Sequence, residues 1–207
     1  MVPSANKYPK LNGLILIGGR SKRMMGFPKE RIEWHGKQQR YYLCDLLAPY
    51  CTDVYISCRE DQCIDLAPGY DSLPDMYPNT GPLGGIITAL TFQPERAWLV
   101  LACDLPLLCK TTLDLLIQQR TPKLIATAFK SPIDGLPEPL FAIWEPHSYP
   151  FILEQMTQQG QKSPRQILLT HQIHLLDPPD RDSLVNVNTP TDADRAKTLL
   201  LTRNQGR

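Results

Sequence analysis

Ala97-Trp98-Leu99-Val100-Leu101-Ala102-Cys103-Asp104-Leu105-Pro106 places a carboxylate directly after an unbroken apolar run. A run this hydrophobic reads as a buried strand, and a carboxylate at its exit is poorly placed to be a solvated surface charge. Working outward, Leu11 to Ile17 is a second buried run that ends in Gly18-Gly19, and Asp53 to Cys58 is a third. Lys123 to Phe129, Pro139 to Trp144, Ile173 to Leu176 and Leu184 to Val187 complete the strand-like segments.

Helical patterns lie between them. Gln38 to Tyr50 carries Tyr42, Leu43, Leu46 and Leu47 as an apolar stripe at helical spacing. Gly84 to Phe92 reads as a short helix after a Pro- and Asp-rich loop, and Thr111 reads as the cap of a helix ending near Gln119. Ser148 to Gln158, a helix opened by Ser163-Pro164, and a C-terminal helix from Thr189-Pro190 follow. The last has its Asp residues first and Arg and Lys later, the polarity a helix dipole favours. Strands separated by such helices predict an α/β fold: three layers, Rossmann-like, with a mostly parallel sheet. The expected organisation is one domain over residues 1–207 with its core at about 11–200.

The bulk numbers exclude several classes. Of the 207 residues 42% are hydrophobic and 21% charged, as in an ordinary globular chain. A net charge of +1 supplies no general attraction for nucleic acid or membrane, so phosphate binding must come from a few placed cations. The apolar runs are too short to span a bilayer, and Met1 to Lys10 has no signal-peptide core. Six cysteines without C-x-x-C spacing are expected to be the reduced thiols of a cytoplasmic protein. Pairing or zinc binding by Cys58 and Cys63, or by Cys103 and Cys109, is the alternative. His35, His147, His171 and His174 are scattered and read as packing or surface residues, and no Ser nucleophile elbow is present.

In parallel α/β sheets ligands lie beyond the carboxyl ends of the strands, which selects residues 18–29, 104–108 and 186–190. Gly18-Gly19 lets backbone N–H groups approach a phosphate, and Arg20, Lys22, Arg23 and Lys29 supply nearby cations. This is neither a P-loop nor a G-x-G-x-x-G loop; a purely structural turn is the bland reading. Asp104 is a candidate Mg²⁺ ligand, because Mg²⁺ takes hard oxygen donors and is held by one or two carboxylates plus substrate phosphates. Capping of the next turn is its alternative. Gly81-Pro82-Leu83-Gly84-Gly85 is either a tight connection or a place where a base or ribose lies against backbone. Asn186 and Asn188 are candidate ligand contacts, with helix capping by Asn188 or Thr189 as the plainer role.

Together L-I-G-G-R-S-K-R-M, G-P-L-G-G, C-D-L-P, E-P-L-F and N-V-N-T-P resemble the molybdenum-cofactor guanylyltransferases, a MobA-like nucleotidyltransferase family, over roughly residues 13–198. The resemblance implies GMP transfer from GTP to the terminal phosphate of molybdopterin, with Mg²⁺ as cofactor and pyrophosphate as product. It implies nucleotide binding by Leu16, Ile17, Gly18, Gly19, Lys29, Ser57, Asp75, Gly81, Gly85 and Asp104. Arg23, Lys29 and Asp104 become the catalytic set, Asp104 the metal ligand, and Asn186 and Asn188 acceptor contacts. Ser57 stands where the family often has asparagine. Pro28 replaces the usual aspartate beside the lysine, and Met25 a possible glycine. Molybdenum-insertion proteins or molybdoenzyme chaperones are the implied protein partners. Use of CTP, a sugar-phosphate acceptor, or a binding module without turnover are the rival readings.

Overall fold

The segments with strong apolar runs do become strands, and their order decides where a ligand can sit. A computed structural model describes residues 8–17, 29–63, 65–158 and 163–205. The strands are β1 (Leu11–Leu16), β2 (Val54–Cys58), β3 (Asp71–Pro74), β4 (Ala97–Ala102), β5 (Ala126–Lys130), β6 (Pro137–Trp144) and β7 (His174–Leu176). The helices are α1 (Gln39–Leu47), α2 (Glu60–Cys63), α3 (Pro82–Phe92), α4 (Lys110–Gln118), α5 (Tyr149–Gln158), α6 (Pro164–Thr170) and α7 (Pro190–Gln205). Short 3-10 turns span Lys29–Arg31, Pro146–Ser148 and Arg181–Leu184.

The strands form one sheet in the order β3-β2-β1-β4-β6-β5-β7. Strand β6 pairs antiparallel with both β4 and β5, and every other pairing is parallel. The expected α/β fold with a mostly parallel sheet is therefore what forms. From β1 the chain steps outward through β2 to β3, then returns to β4 on the other side of β1. The crevice between the ends of β1 and β4 is thus a topological switch point.

Alternating side chains of the strands build two cores. One face buries Ile15, Ile56, Leu99, Leu101, Phe129 and Phe141 against Leu43 and Leu47 of α1 and Leu113 and Leu116 of α4. The other buries Leu14, Trp98, Val100 and Trp144 against Leu83, Ile86 and Ile87 of α3, Ile152 of α5 and Ile167 of α6. A smaller third cluster joins Leu107, Val187, Ala193 and Ala196, with Ile32 and Trp34 packed on it. It docks α7 beneath the loop that follows β4. Among the described residues no helix is long and apolar enough to cross a membrane.

Four details depart from the sequence reading. Leu184 to Val187 is not a strand: Arg181–Leu184 is a 3-10 turn, and the Val187 N–H bonds the Asp104 carbonyl at 2.9 Å instead of a neighbouring strand. The Pro- and Asp-rich loop contains the short strand β3, whose place at the sheet edge tolerates Pro74. Thr111 does not cap α4; Cys109 holds the N-cap position, two residues earlier than the hydroxyl pattern suggests. Finally, Cys58 and Cys63 are disulfide-bonded, because the single turn of α2 folds back to bring their Cα atoms within 5.8 Å. Cys44, Cys51, Cys103 and Cys109 are free thiols, as expected.

At the opposite end of the sheet from the crevice, Arg120 reaches the Glu145 carboxylate with two hydrogen bonds of 2.6 and 2.8 Å. The Glu145 side chain is 0% exposed. Removing one partner strands a buried charge, which costs about 3 kcal/mol, whereas replacing both by apolar groups is far less costly. Arg120→Met is therefore expected to lower the urea midpoint strongly, and Arg120→Met with Glu145→Leu to recover most of it. Equal losses in the single and double variants would contradict the assignment.

Candidate active site

Three chain segments meet at the crevice. Strand β4 ends one residue before Cys103, whose N–H bonds the Leu16 carbonyl at 3.3 Å, so Asp104 emerges beside the end of β1. Lys29, in the first 3-10 turn, places Nζ 3.6 Å from Asp104 Oδ2 and donates to Asn188 Oδ1 at 2.7 Å. Asn188 is held in turn by the start of α7. The backbone N–H groups of Asn188 and Thr189 bond Asp192 Oδ2, while the Thr189 hydroxyl accepts from the Asp192 N–H. This reciprocal cap satisfies the first N–H groups of the helix. Capping and convergence on Lys29 therefore coexist. Asn186, two residues earlier, is half-buried.

Asp104 is unusual in what it lacks. Its Oδ1 is sealed from solvent and has no hydrogen-bond partner among the described residues. Burial raises its pKa above the usual carboxylate range, and the Lys29 charge offsets this only in part. A buried ionised oxygen without a donor is costly. Filling it with a hard divalent cation would remove that cost, so the donor set fits such an ion.

A second group gathers on the β2 side. The Ser57 hydroxyl donates to Asp75 Oδ1 at 2.6 Å. The Asp75 N–H bonds the Cys58 carbonyl at 2.9 Å, and Thr88 of α3 accepts from the Met76 N–H at 3.0 Å. Burial raises the Asp75 pKa, with Ser57 and Arg59 opposing. Gly85 lets α3 approach: a Cβ there would stand 2.5 Å from Ser57 Oγ and 2.6 Å from Leu16 Cδ2. Gly81, just before α3, has φ of +63°, a conformation that costs glycine little and other residues much. Leu16, Ser57, Asp75 and Gly85 thus share one wall. The Leu16 and Ile17 side chains are buried in the cores, which leaves only their backbone to face a ligand. Gly18, Gly19, Arg20, Lys22, Arg23, Met25 and Pro28 lie outside the described residues.

Glu138, in the E-P-L-F motif, joins the site without having been singled out from the sequence. The antiparallel β4–β6 register pairs Leu101 with Phe141; continued three residues, it brings Glu138 level with Asp104. Arg165 donates to Glu138 Oε2 at 3.1 Å. Burial raises the Glu138 pKa, and the Asp104 charge pushes in the same direction. The motif itself was the available signal.

A family model described as the MobA-like NTP transferase domain matches residues 13–175. The chain belongs to this family. It is 35% identical to a molybdenum cofactor guanylyltransferase of Pseudomonas aeruginosa, an alignment covering 88% of this chain and 92% of that protein. It is 34% identical to a molybdenum cofactor biosynthesis bifunctional protein of Synechocystis, covering 88% of this chain but only 52% of that longer protein. The solved structure of molybdopterin-guanine dinucleotide biosynthesis protein A from Archaeoglobus fulgidus superposes with a TM-score of 0.76 at 23% identity, over 92% of this chain and 99% of that one. This MobA-like chain is accordingly a nucleotidyltransferase, and transferases of this family typically use a divalent metal.

Because Asp104 titrates above its unfolded value, the protonated form stabilises the metal-free fold, and that contribution is lost as pH rises through the folded pKa. Asp104→Asn removes the penalty. In chelator at neutral pH its thermal midpoint is expected to equal or exceed that of the wild type, while turnover falls about a thousandfold, about 4 kcal/mol of barrier. A less stable variant with near-normal turnover would overturn both halves of the assignment.

Proposed function

We propose that this chain transfers GMP from GTP to the terminal phosphate of molybdopterin, with or without its metal loaded, and releases pyrophosphate. The observation that carries the reading is the convergence of Lys29, Asp104 and Asn188 at the β1–β4 switch point, beside the wall formed by Ser57, Asp75 and Gly85. Relatives at 34–35% identity that bear molybdenum-cofactor names support the choice of substrates.

An oxygen of the acceptor phosphate forms the new bond to the α-phosphorus of GTP, and the bond to the β-phosphate oxygen breaks. The attacking oxygen is already anionic, so no general base is needed. Catalysis then rests on positioning and charge neutralisation. Mg²⁺ held by Asp104 would supply the Lewis-acid share of that neutralisation when bound. Lys29, steered by Asn188, presents its ammonium to the charge developing on the departing pyrophosphate; Arg23 and the Gly18-Gly19 amides are proposed to act alongside it. Asn188 Oδ1 is already used by Lys29, so its two amide N–H donors are the groups free to meet the acceptor, together with Asn186.

On this reading the nucleotide also meets the backbone of Leu16, Ile17 and Gly81. Asp75 reads guanine. Ser57 takes one lone pair of Asp75 Oδ1, and the carboxylate retains acceptor capacity for the adjacent N1–H and N2–H of the base. Adenine and cytosine set a ring acceptor against it. One domain over residues 1–207, a cytoplasmic setting, and encounters with molybdenum-insertion proteins or molybdoenzyme chaperones belong to the same proposal.

Pyrophosphate release with GTP, CTP and ATP, each with Mg²⁺ and molybdopterin, tests it. Turnover should require molybdopterin and favour GTP. In Asp75→Ala the preference for GTP should shrink, because a site left with an unpaired polar group discriminates most against mismatched partners. An equal loss for all three nucleotides would remove Asp75 from base reading, and a preference for CTP would overturn the guanylyl assignment.

A further inference from the structure

Four consecutive carbonyls after β4 are each taken by a donor from elsewhere in the chain. The Val187 N–H bonds Asp104 O at 2.9 Å. Gln39 Nε2 donates to Leu105 O at 3.1 Å, and His35 Nε2 to Pro106 O at 2.9 Å. Leu107 O receives Arg203 Nη1 at 2.8 Å and the Ser183 hydroxyl at 3.4 Å. Leu105, Leu107 and Leu108 are buried, so these carbonyls must find partners within the protein.

Two of these donors, Gln39 and His35, come from the segment that carries Lys29. That segment therefore meets the Asp104 loop three times: through the Lys29 ammonium and through two side chains gripping backbone. Gln39 satisfies the buried Leu105 carbonyl but leaves half of its own amide without a partner among the described residues. It is 0% exposed in the first turn of α1, and its Oε1 has no partner among the described residues. A buried, half-satisfied amide costs about 1–3 kcal/mol that an apolar side chain of similar size would not. The His35 ring stacks on Tyr42 with centroids 3.8 Å apart, and burial pushes its pKa down, favouring the neutral ring. Its Nε2 must carry the proton, because a carbonyl can only accept.

We propose that Gln39 and His35 are positioning residues, which fix the Asp104 carboxylate at its spacing from Lys29 before substrate arrives by holding the Leu105 and Pro106 carbonyls. Neither touches the reacting atoms. The consequence for cation binding rests on the reading of Asp104 given above; the consequence for loop order does not.

Gln39→Met keeps the length and removes the donor, and His35→Phe keeps the stack and removes the donor. Three readouts are needed: amide hydrogen exchange at Leu105, Leu107 and Leu108, Mn²⁺ affinity in the presence of GTP, and steady-state kinetics. Both variants should exchange faster in the loop and bind Mn²⁺ about tenfold more weakly, the usual effect of losing a partner behind a metal ligand. The kcat should fall about tenfold with the KM for GTP changed less than twofold. Gln39→Met should melt close to the wild type, because the Leu108 N–H still bonds Leu105 O at 3.4 Å. Unchanged loop exchange and Mn²⁺ affinity in both variants would overturn the proposal, as would losses matching only the fraction unfolded. Faster loop exchange together with Mn²⁺ affinity that Asp104→Asn leaves unaltered would uphold the positioning role and overturn the metal reading instead.

Discussion

A carboxylate that leaves a buried strand gives up most of its water, and Asp104 recovers only part of what it loses. Lys29 stands 3.6 Å from one oxygen, and the other oxygen is sealed without a donor among the described residues. Nothing in the folding of a three-layer sheet demands a charge at that point. The surroundings nonetheless hold it firmly: the third apolar cluster packs beneath the loop through Leu107, and donors occupy the carbonyls of residues 104 to 107. Holding an unfavourable charge in a fixed place is how functional sites are preorganised.

The sheet order places that charge. With β1 central and the chain doubling back from β3 to β4, two loops diverge at one crevice and leave room for a ligand. The C-terminal segment then closes one side, because Val187 bonds the Asp104 carbonyl and Asn188 steers Lys29. Helix α7 is thus part of the site's support, docked through Ala193 and Ala196. The β2 side contributes Ser57 and Asp75 at a distance set by the absence of a side chain on Gly85.

Much of this was legible in the sequence. The apolar runs at Leu11 and Ala97 announce buried strands, and the rule that ligands gather at strand carboxyl ends points to Asp104, Lys29 and Asn188, which the fold brings together. The spacing of N-V-N-T-P suggests a cap and a ligand contact; the cap forms through Thr189 and Asp192, and Asn188 turns towards Lys29. Gln39 and His35 were not legible, because a glutamine in an amphipathic helix and a lone histidine look like surface residues until their backbone partners are known. The stretch Leu184 to Val187 departs from expectation for a related reason: its apolar pattern fits a strand, but the Val187 N–H bonds the Asp104 carbonyl. The Cys58–Cys63 pairing was the alternative to reduced thiols, and the helical turn between the two residues, which the sequence pattern does not show, brings them within reach.

Anomalous diffraction from crystals soaked with Mn²⁺ and a non-hydrolysable GTP analogue addresses the buried carboxylate directly. The peak should lie about 2.2 Å from Asp104 Oδ1, with Lys29 beside the nucleotide phosphates. Bound nucleotide whose metal contacts phosphate oxygens and water alone, with Asp104 Oδ1 still unpartnered, would contradict the role given to that oxygen.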